Sequence, residues 1–321
     1  MTRENRPELR GEILVEVIRD EMVESVHHGH LLILDQAGKV IKSIGESNLL
    51  IYPRSAIKGI QSAAMVRAGL KLDAKELALV SASHAGSDRH LESAEKILAS
   101  VGLDESSLKN TPDRPLGTKE RRGWGDKAPS SLAANCSGKH AGMVATSKIN
   151  GWDIESYKEP DHPLQLLIRA ELEKLSGERI EKISVDGCGA PLFAISLQGL
   201  ATAIHNLVNS NDPIHDSIFQ ASRSFPEMVS GDGRIITESM RQIPNLFAKD
   251  GAEGVMIAAI RGKGTIVWKM SDGSQRGDWP LLAASLSHLG ARLHFDQVPV
   301  YGDGRVVGEI RASKLASDVS R

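Results

Sequence analysis

Cysteine is scarce in this sequence. Cys136 and Cys188 are the two present among 321 residues, too few for a disulfide-stapled scaffold. No stretch approaches the ~18 unbroken apolar residues of a membrane span, which argues against a membrane protein. The opening residues Met1–Arg10 are polar and charged and read as no export signal, so a cytoplasmic protein is expected. Neither sign of charge is in excess: the formal net charge is -2, and lysine and arginine are scattered instead of forming a stripe. That distribution argues against nucleic acid and for a small-molecule substrate. There is also no internal repeat or low-complexity tract. What is present, 40% apolar and 25% charged residues, is ordinary for a globular chain with a full core. Single cores stop growing at roughly 250–300 residues. One catalytic unit over residues 1–321 is expected, with sheet from about 10–50 and 250–312 and a helical lobe over about 53–249.

Local patterns support that division. An apolar segment from Ile13 to Ile18 precedes Leu31 to Asp35 and Lys39 to Ile44, which are joined by Gln36-Ala37-Gly38 and read as a hairpin. Near the other end, Val255 to Ile260 and Thr265 to Met270 flank Arg261-Gly262-Lys263-Gly264, a second hairpin. Between them, Pro53 and Gly69 bracket a helix over Arg54 to Ala68. Another helix runs from a Ser87 cap to Gly102, with Leu91, Ala94, Leu98 and Val101 on one face. Further helices are expected near Leu164–Leu175, Leu192–Leu207 and Leu281–Leu289. Leu77 to Val80 and Ile183 to Val185 read as short strands. The irregular stretch from Asn110 to Ser131 is long enough to border an active site.

The sharpest chemical signal is Ser55-Ala56-Ile57-Lys58 at a helix start. A spacing of three puts both side chains on one face. A desolvated, neutral lysine can take the proton of a serine hydroxyl, and free amides at a helix N-terminus would steady an oxyanion. Alone the pattern is weak, since an exposed helix pair gives the same spacing. Ser81-Ala82-Ser83 and then Lys269-Met270-Ser271 follow in the order of the Ser-x-x-Lys, Ser-x-Asn and Lys-Thr-Gly parts of penicillin-recognising serine enzymes. Ser83 stands where those have asparagine. Strand alternation separates Val267, Lys269 and Ser271 from Ile266, Trp268 and Met270. An edge-strand lysine that blocks aggregation is the competing reading of Lys269, and Lys263 lies only six residues upstream. A second constellation is Asn135-Cys136-Ser137-Gly138-Lys139-His140 with Asp186-Gly187-Cys188-Gly189. Two thiolates and the nitrogen of Lys139 suit zinc with an open position. His140 and Asp186 would orient that set, and two unrelated polar loops are the alternative.

Taken together, these segments resemble the inducible, rhizobial-type, zinc-containing L-asparaginase family. The matching pieces are Tyr52-Pro53-Arg54-Ser55-Ala56-Ile57-Lys58, Ser83-His84-Ala85-Gly86, and Asn135-Cys136-Ser137-Gly138-Lys139-His140-Ala141-Gly142-Met143. Asp161-His162-Pro163-Leu164-Gln165, Asp186-Gly187-Cys188-Gly189-Ala190-Pro191 and Gly251-Ala252-Glu253-Gly254 continue the series in family order over nearly the whole chain. One stretch departs: relatives carry Cys-Gly-x-His-x-Pro where this chain has Asn110-Thr111-Pro112-Asp113-Arg114-Pro115, so substrate preference is open to change.

The resemblance implies an α/β fold of the serine beta-lactamase type, an antiparallel sheet built from both chain ends with helices packed on it. It implies Ser55 with Lys58 and Ser81 with Lys269 as two nucleophile and base pairs. It also implies one zinc on Cys136, Lys139 and Cys188 that organises the pocket, L-asparagine as substrate, and a homodimer. Arg54, Ser83, His84, His140, Asp186, Asp272 and Arg276 are the expected substrate contacts. Two rival readings remain, a penicillin-recognising peptidase or beta-lactamase and a non-catalytic zinc-binding module. Glutamine and related amides are not separated from asparagine, because one methylene is worth only about 1–3 kcal/mol in a pocket.

Overall fold

Strand-forming sequence from the two ends of the chain meets in one sheet. The computed structural model describes residues 9–318, so most of the polar segment Met1–Arg10 lies outside the described residues. The early strands are β1 (Glu12–Arg19), β2 (Met22–Asp35), β3 (Val40–Ile44) and β4 (Leu50–Ile51). Three short strands follow mid-chain, β5 (Ile183–Val185), β6 (Pro191–Phe193) and β7 (Ile195–Ser196). The late strands are β8 (Leu246–Gly251), β9 (Val255–Ile260), β10 (Gly264–Met270), β11 (Val298–Gly302) and β12 (Arg305–Ala312). Eight of them form a sheet in the order β11-β12-β1-β2-β10-β9-β8, with β3 added to β2, and every pairing is antiparallel. The seam between chain ends is β2 against β10, where Leu31 faces Trp268 and His30 faces Lys269.

Leu31, Leu32, Ile33 and Leu34 are consecutive and all buried. Successive strand residues point to opposite faces, so both faces of the sheet are covered here. Helix α7 (Leu197–Asn209) packs over β2, β9 and β10, while α11 (Asp278–Ser287) and α12 (Lys314–Ser317) pack on β1, α11 also reaching β12. The remaining helices are α1 (Lys58–Arg67), α2 (Ala74–Val80), α3 (Asp88–Ala99), α4 (Thr118–Trp124), α5 (Ser137–Ile149) and α6 (Pro163–Ser176), then α8 (Pro213–Ser224), α9 (Pro226–Val229) and α10 (Ile235–Gln242). In this layer α1 touches α2, α5, α6 and α8.

Both hairpins form at the expected residues, with Gly38 and Gly262 in left-handed turn positions at φ 76°. Leu77–Val80 is not a strand. Asp73 accepts from the Glu76 amide at 2.8 Å while Glu76 accepts from the Asp73 amide at 3.0 Å, a capping box that starts a helix through the same short apolar run. The helix expected from Leu192 begins later, at Leu197, because Ser196 Oγ accepts from the Gly199 amide at 2.8 Å and Pro191–Phe193 pairs as β6. Helix α5 lies against α2 through Gly138 and Gly142. A Cβ at Gly138 would come within 2.5 Å of Leu79, and one at Gly142 within 2.9 Å of Val80. Two side-chain-free positions one turn apart allow this approach, which seats Cys136 and Lys139 beside the start of α1.

Candidate active site

The serine turn comes first in the chain. The expected helix over Arg54–Ala68 splits into a 3-10 turn at Arg54–Ile57 and α1 from Lys58. Arg54 adopts φ 53°, a left-handed conformation uncommon outside glycine and concentrated at functional sites. It is held there by Arg54 Nε, which donates to Asp186 Oδ1 at 2.8 Å. From behind, β8 presses on the turn: a Cβ on Gly251 would sit 2.7 Å from the Pro53 carbonyl. The Ala56 amide is engaged by Pro53 O at 3.1 Å, so it is not among the free amides expected at this helix entrance. Ser55 is half-buried, and its hydroxyl has no hydrogen-bond partner among the described residues. Ser55 lines a cavity of about 260 Å³ together with Arg54, Lys58, Cys136, Asp186 and Cys188. Drug-sized ligands occupy roughly 300–1,000 Å³, so this volume suits a small molecule.

Lys58 is buried and its Nζ donates to Ala82 O at 2.5 Å and to Ser83 Oγ at 3.2 Å. It makes no hydrogen bond to Ser55. Burial, then the nearby charges of Lys139 and Lys249, bring the amine down from 10.5 to about 7, against the pull of Cys136 and Cys188. Lys249 was not anticipated. It is buried on β8, where its Nζ donates to the Asp250 carboxylate and carbonyl, both at 2.6 Å. A lysine inside the apolar run Leu246-Phe247-Ala248, two residues before the matched Gly251-Ala252-Glu253-Gly254 piece, was the signal available.

The sulfur cluster lies at the N-terminus of α5. Cys136, His140 and Cys188 offer ligand atoms that all lie within 4.8 Å of one another. Lys139 Nζ donates to Cys188 Sγ at 3.3 Å. The two thiols act on each other: Cys136 is pushed well up and Cys188 well down, with Lys139 adding to the fall of Cys188. Burial opposes the charge on Lys139, but Cys188, Cys136 and Asp186 hold it cationic. Burial and Lys139 bring His140 down to about 4, so its imidazole is neutral. His140 Nδ1 meets Tyr157 Oη at 2.7 Å, and its buried Nε2 has no partner among the described residues. Two sulfurs and an unanswered imidazole nitrogen form a donor set that fits a soft or borderline metal ion, with Tyr157 fixing the ring from behind. His140 therefore belongs to the sulfur cluster and not, as expected, to the cavity wall.

Other expected site residues lie elsewhere. Ser81 and Lys269 are not brought together. Ser81 Oγ, at the end of α2, donates to Ser62 Oγ at 2.9 Å, whereas Lys269 Nζ donates to the carbonyl of Met270 on its own strand. The pairing came from the family resemblance; here Ser81 ends α2 and faces α1 through Ser62, away from Lys269. Ser83, by contrast, is the hydroxyl in contact with Lys58. His84 is fully buried, 2.9 Å from Ser137 Oγ and stacked on His90 at 5.0 Å. Asp272 pairs with His27 at 2.6 Å, and Arg276 is exposed; neither lines the cavity. The Asn110–Ser131 stretch, expected to be irregular but carrying α4, does border it, through Thr111, Pro112 and Asp113.

A family model described as L-asparaginase II matches residues 15–312. None of the curated proteins matches the chain. Among solved structures the chain is similar to Mglu in its native form, at 12% identity over 77% of this chain and 59% of that one, with a TM-score of 0.43. It is also similar to a beta-lactamase from Mycobacterium bovis, at 14% identity over 78% and 89% of the two chains and a TM-score of 0.41. A Bacillus glutaminase follows at 14% identity, 77% and 84% coverage and a TM-score of 0.33. The chain spans less than two thirds of the length of the Mglu chain it matches.

Proposed function

Because the chain belongs to the L-asparaginase II family, we propose that it cleaves the side-chain amide of L-asparagine through an acyl-enzyme on Ser55. One observation carries this reading: a buried amine, Lys58, brought down to about 7 and lining the same cavity as Ser55. An amine that is half neutral near pH 7 can take a proton from an alcohol, as an ordinary lysine cannot. Ser83 also touches Lys58 but is only 5% exposed and lines no part of the cavity, so Ser55 is the hydroxyl a substrate reaches.

In the proposed sequence Lys58 takes the Ser55 proton as the oxygen bonds to the amide carbon. The Lys58 ammonium then gives that proton to the departing nitrogen, the carbon–nitrogen bond breaks and ammonia leaves. A water molecule next loses a proton to Lys58 while bonding to the ester carbon. Ser55 regains its proton and aspartate departs. Arg54 spends only Nε on Asp186, which leaves its terminal nitrogens for the substrate carboxylate. Zinc held by Cys136, Cys188 and the neutral His140, with Lys139 joining only if the metal displaces its proton, would supply a fixed positive charge beside the cavity. Ser81 and Lys269 take no part in this sequence. The same reading includes a serine beta-lactamase-like architecture acting as one catalytic unit, a cytoplasmic site of action and a homodimer.

Ammonia release from L-asparagine tests the proposal. Ser55→Ala is expected to lower turnover by on the order of 10³-fold or more, and wild-type-like turnover in that variant would remove Ser55 from its role.

A further inference from the structure

Two carboxylates line the cavity, Asp186 and Asp113. Asp186 is already paired: its Oδ1 accepts from Arg54 Nε and the Gly187 amide, each at 2.8 Å, and its Oδ2 lies 3.8 Å from Cys188 Sγ, against the sulfur cluster. Asp113 is different. Its Oδ1 accepts from the adjacent Arg114 amide at 2.7 Å and lies 3.8 Å from Arg121, while Oδ2 has no partner among the described residues. The side chain is 56% exposed, but the backbone beneath it is clamped. Asp113 N donates to Ser130 O and Ser130 N to Asp113 O, both at 3.1 Å, and Asn110 Nδ2 donates to Ser131 O at 2.9 Å. The free oxygen is thus presented by an anchored loop base, not by a swinging tip.

The basic groups that line the same cavity are the Arg54 guanidinium and the Lys58 amine, adjacent in sequence to Ser55 or one turn from it. An amino-acid amide carries one carboxylate and one ammonium. Arg54 can receive the first; the second needs an anionic acceptor, and of the two lining carboxylates Asp186 is already paired with Arg54. We infer that Asp113 receives the α-ammonium of the substrate and makes the site selective for amino-acid amides over amides lacking the amino group. This rests on the amidohydrolase reading above and adds the group that sets substrate class. Asp113 is a specificity residue, and the bond-making steps do not pass through it.

The experiment compares kcat/KM for L-asparagine and for succinamate, which is asparagine without its amino group, in the wild type and in Asp113→Asn. A charge-assisted hydrogen bond to an ammonium predicts that the asparagine-to-succinamate ratio falls roughly 10- to 100-fold in Asp113→Asn, mostly through KM for asparagine. Asparagine and aspartic acid side chains are close in shape, and a thermal melt checks that the loop base survives. A proportional loss on both amides leaves the ratio unchanged and overturns the inference, since it would mark a structural role. An unchanged enzyme overturns it as well. Failure of the wild type to release ammonia from either amide overturns the amidohydrolase reading itself, and this inference with it.

Discussion

Helix α1 carries a basic residue at each end, and the two are treated in opposite ways. At its C-terminus Arg67 is answered completely. It donates to both Glu171 oxygens at 3.1 Å and to Asp212 at 2.7 Å, while His215 meets Glu171 at 2.6 Å and Ser210 at 2.9 Å. At its N-terminus Lys58 is more deeply buried yet has no carboxylate, only the Ala82 carbonyl and the Ser83 hydroxyl. The helix field favours a cation at the C-terminus and disfavours one at the N-terminus. Arg67 is raised, chiefly by its hydrogen bond to Glu171, and Lys58 is brought down to about 7, chiefly by burial. One end of the helix is an ion-paired clamp, and the other carries the amine proposed above as the base. What separates them is that Arg67 is partly exposed and finds its counter-charges, whereas Lys58 is buried and finds none.

Three measurements would break or sharpen that contrast. Lys58→Met should cost the largest effect, on the order of 10²–10⁴ in kcat/KM for asparagine, with a melting temperature held or raised because an unpaired buried amine is replaced by an apolar chain. A clear fall in melting temperature would place Lys58 with the structural end. Glu171→Gln should do the reverse: it leaves Arg67 with Asp212 alone and removes the carboxylate that meets His215, which destabilises by about 1–2 kcal/mol in urea unfolding, less than a fully buried pair because Arg67 is partly exposed, with turnover per folded molecule retained.

Acidity should separate the two ends by pH. Burial raises Glu171, but the hydrogen bonds from His215 and Arg67 outweigh it and hold the carboxylate at about 2, below its ordinary 4.5. A depressed acid contributes stability that is present above 4.5 and lost as pH falls toward 2. Lys58 must be neutral to act, so turnover should rise through about pH 7 and fall roughly tenfold per unit below it. Rate profiles and circular dichroism over the same range would then show activity lost while the fold persists. Coincident loss of both would erase the distinction between the two ends of α1.

Much of this architecture was legible from local pattern. The hairpins around Gly38 and Gly262 and the cap at Ser87 rest on contacts between residues a few positions apart, and they formed as expected. Leu77–Val80 misled because a short apolar run fits strand or helix equally, and the Asp73–Glu76 box that decides it lies upstream. The Ser81–Lys269 pair, taken from the family resemblance, is not brought together either, because α2 carries Ser81 to Ser62. Ser83, Lys249 and Asp113 were each visible as letters but undervalued, because their roles depend on neighbours brought from other parts of the chain.

The order of residues alone determined which chemistry was on offer. Ser55 and Lys58 share a turn, two thiols sit in glycine-rich polar segments with a lysine three residues after the first, and both chain ends carry sheet, because helical spacing, glycine turns and strand alternation are short-range constraints. Only the tertiary structure decided which of these groups meet. Lys58 lies on Ser83, Lys269 stays on its own strand, His140 turns to the sulfurs, and Asp113 keeps one oxygen free. Burial and the approach of distant charges arise when the chain closes on itself, and those two quantities set whether a lysine is a clamp or a base.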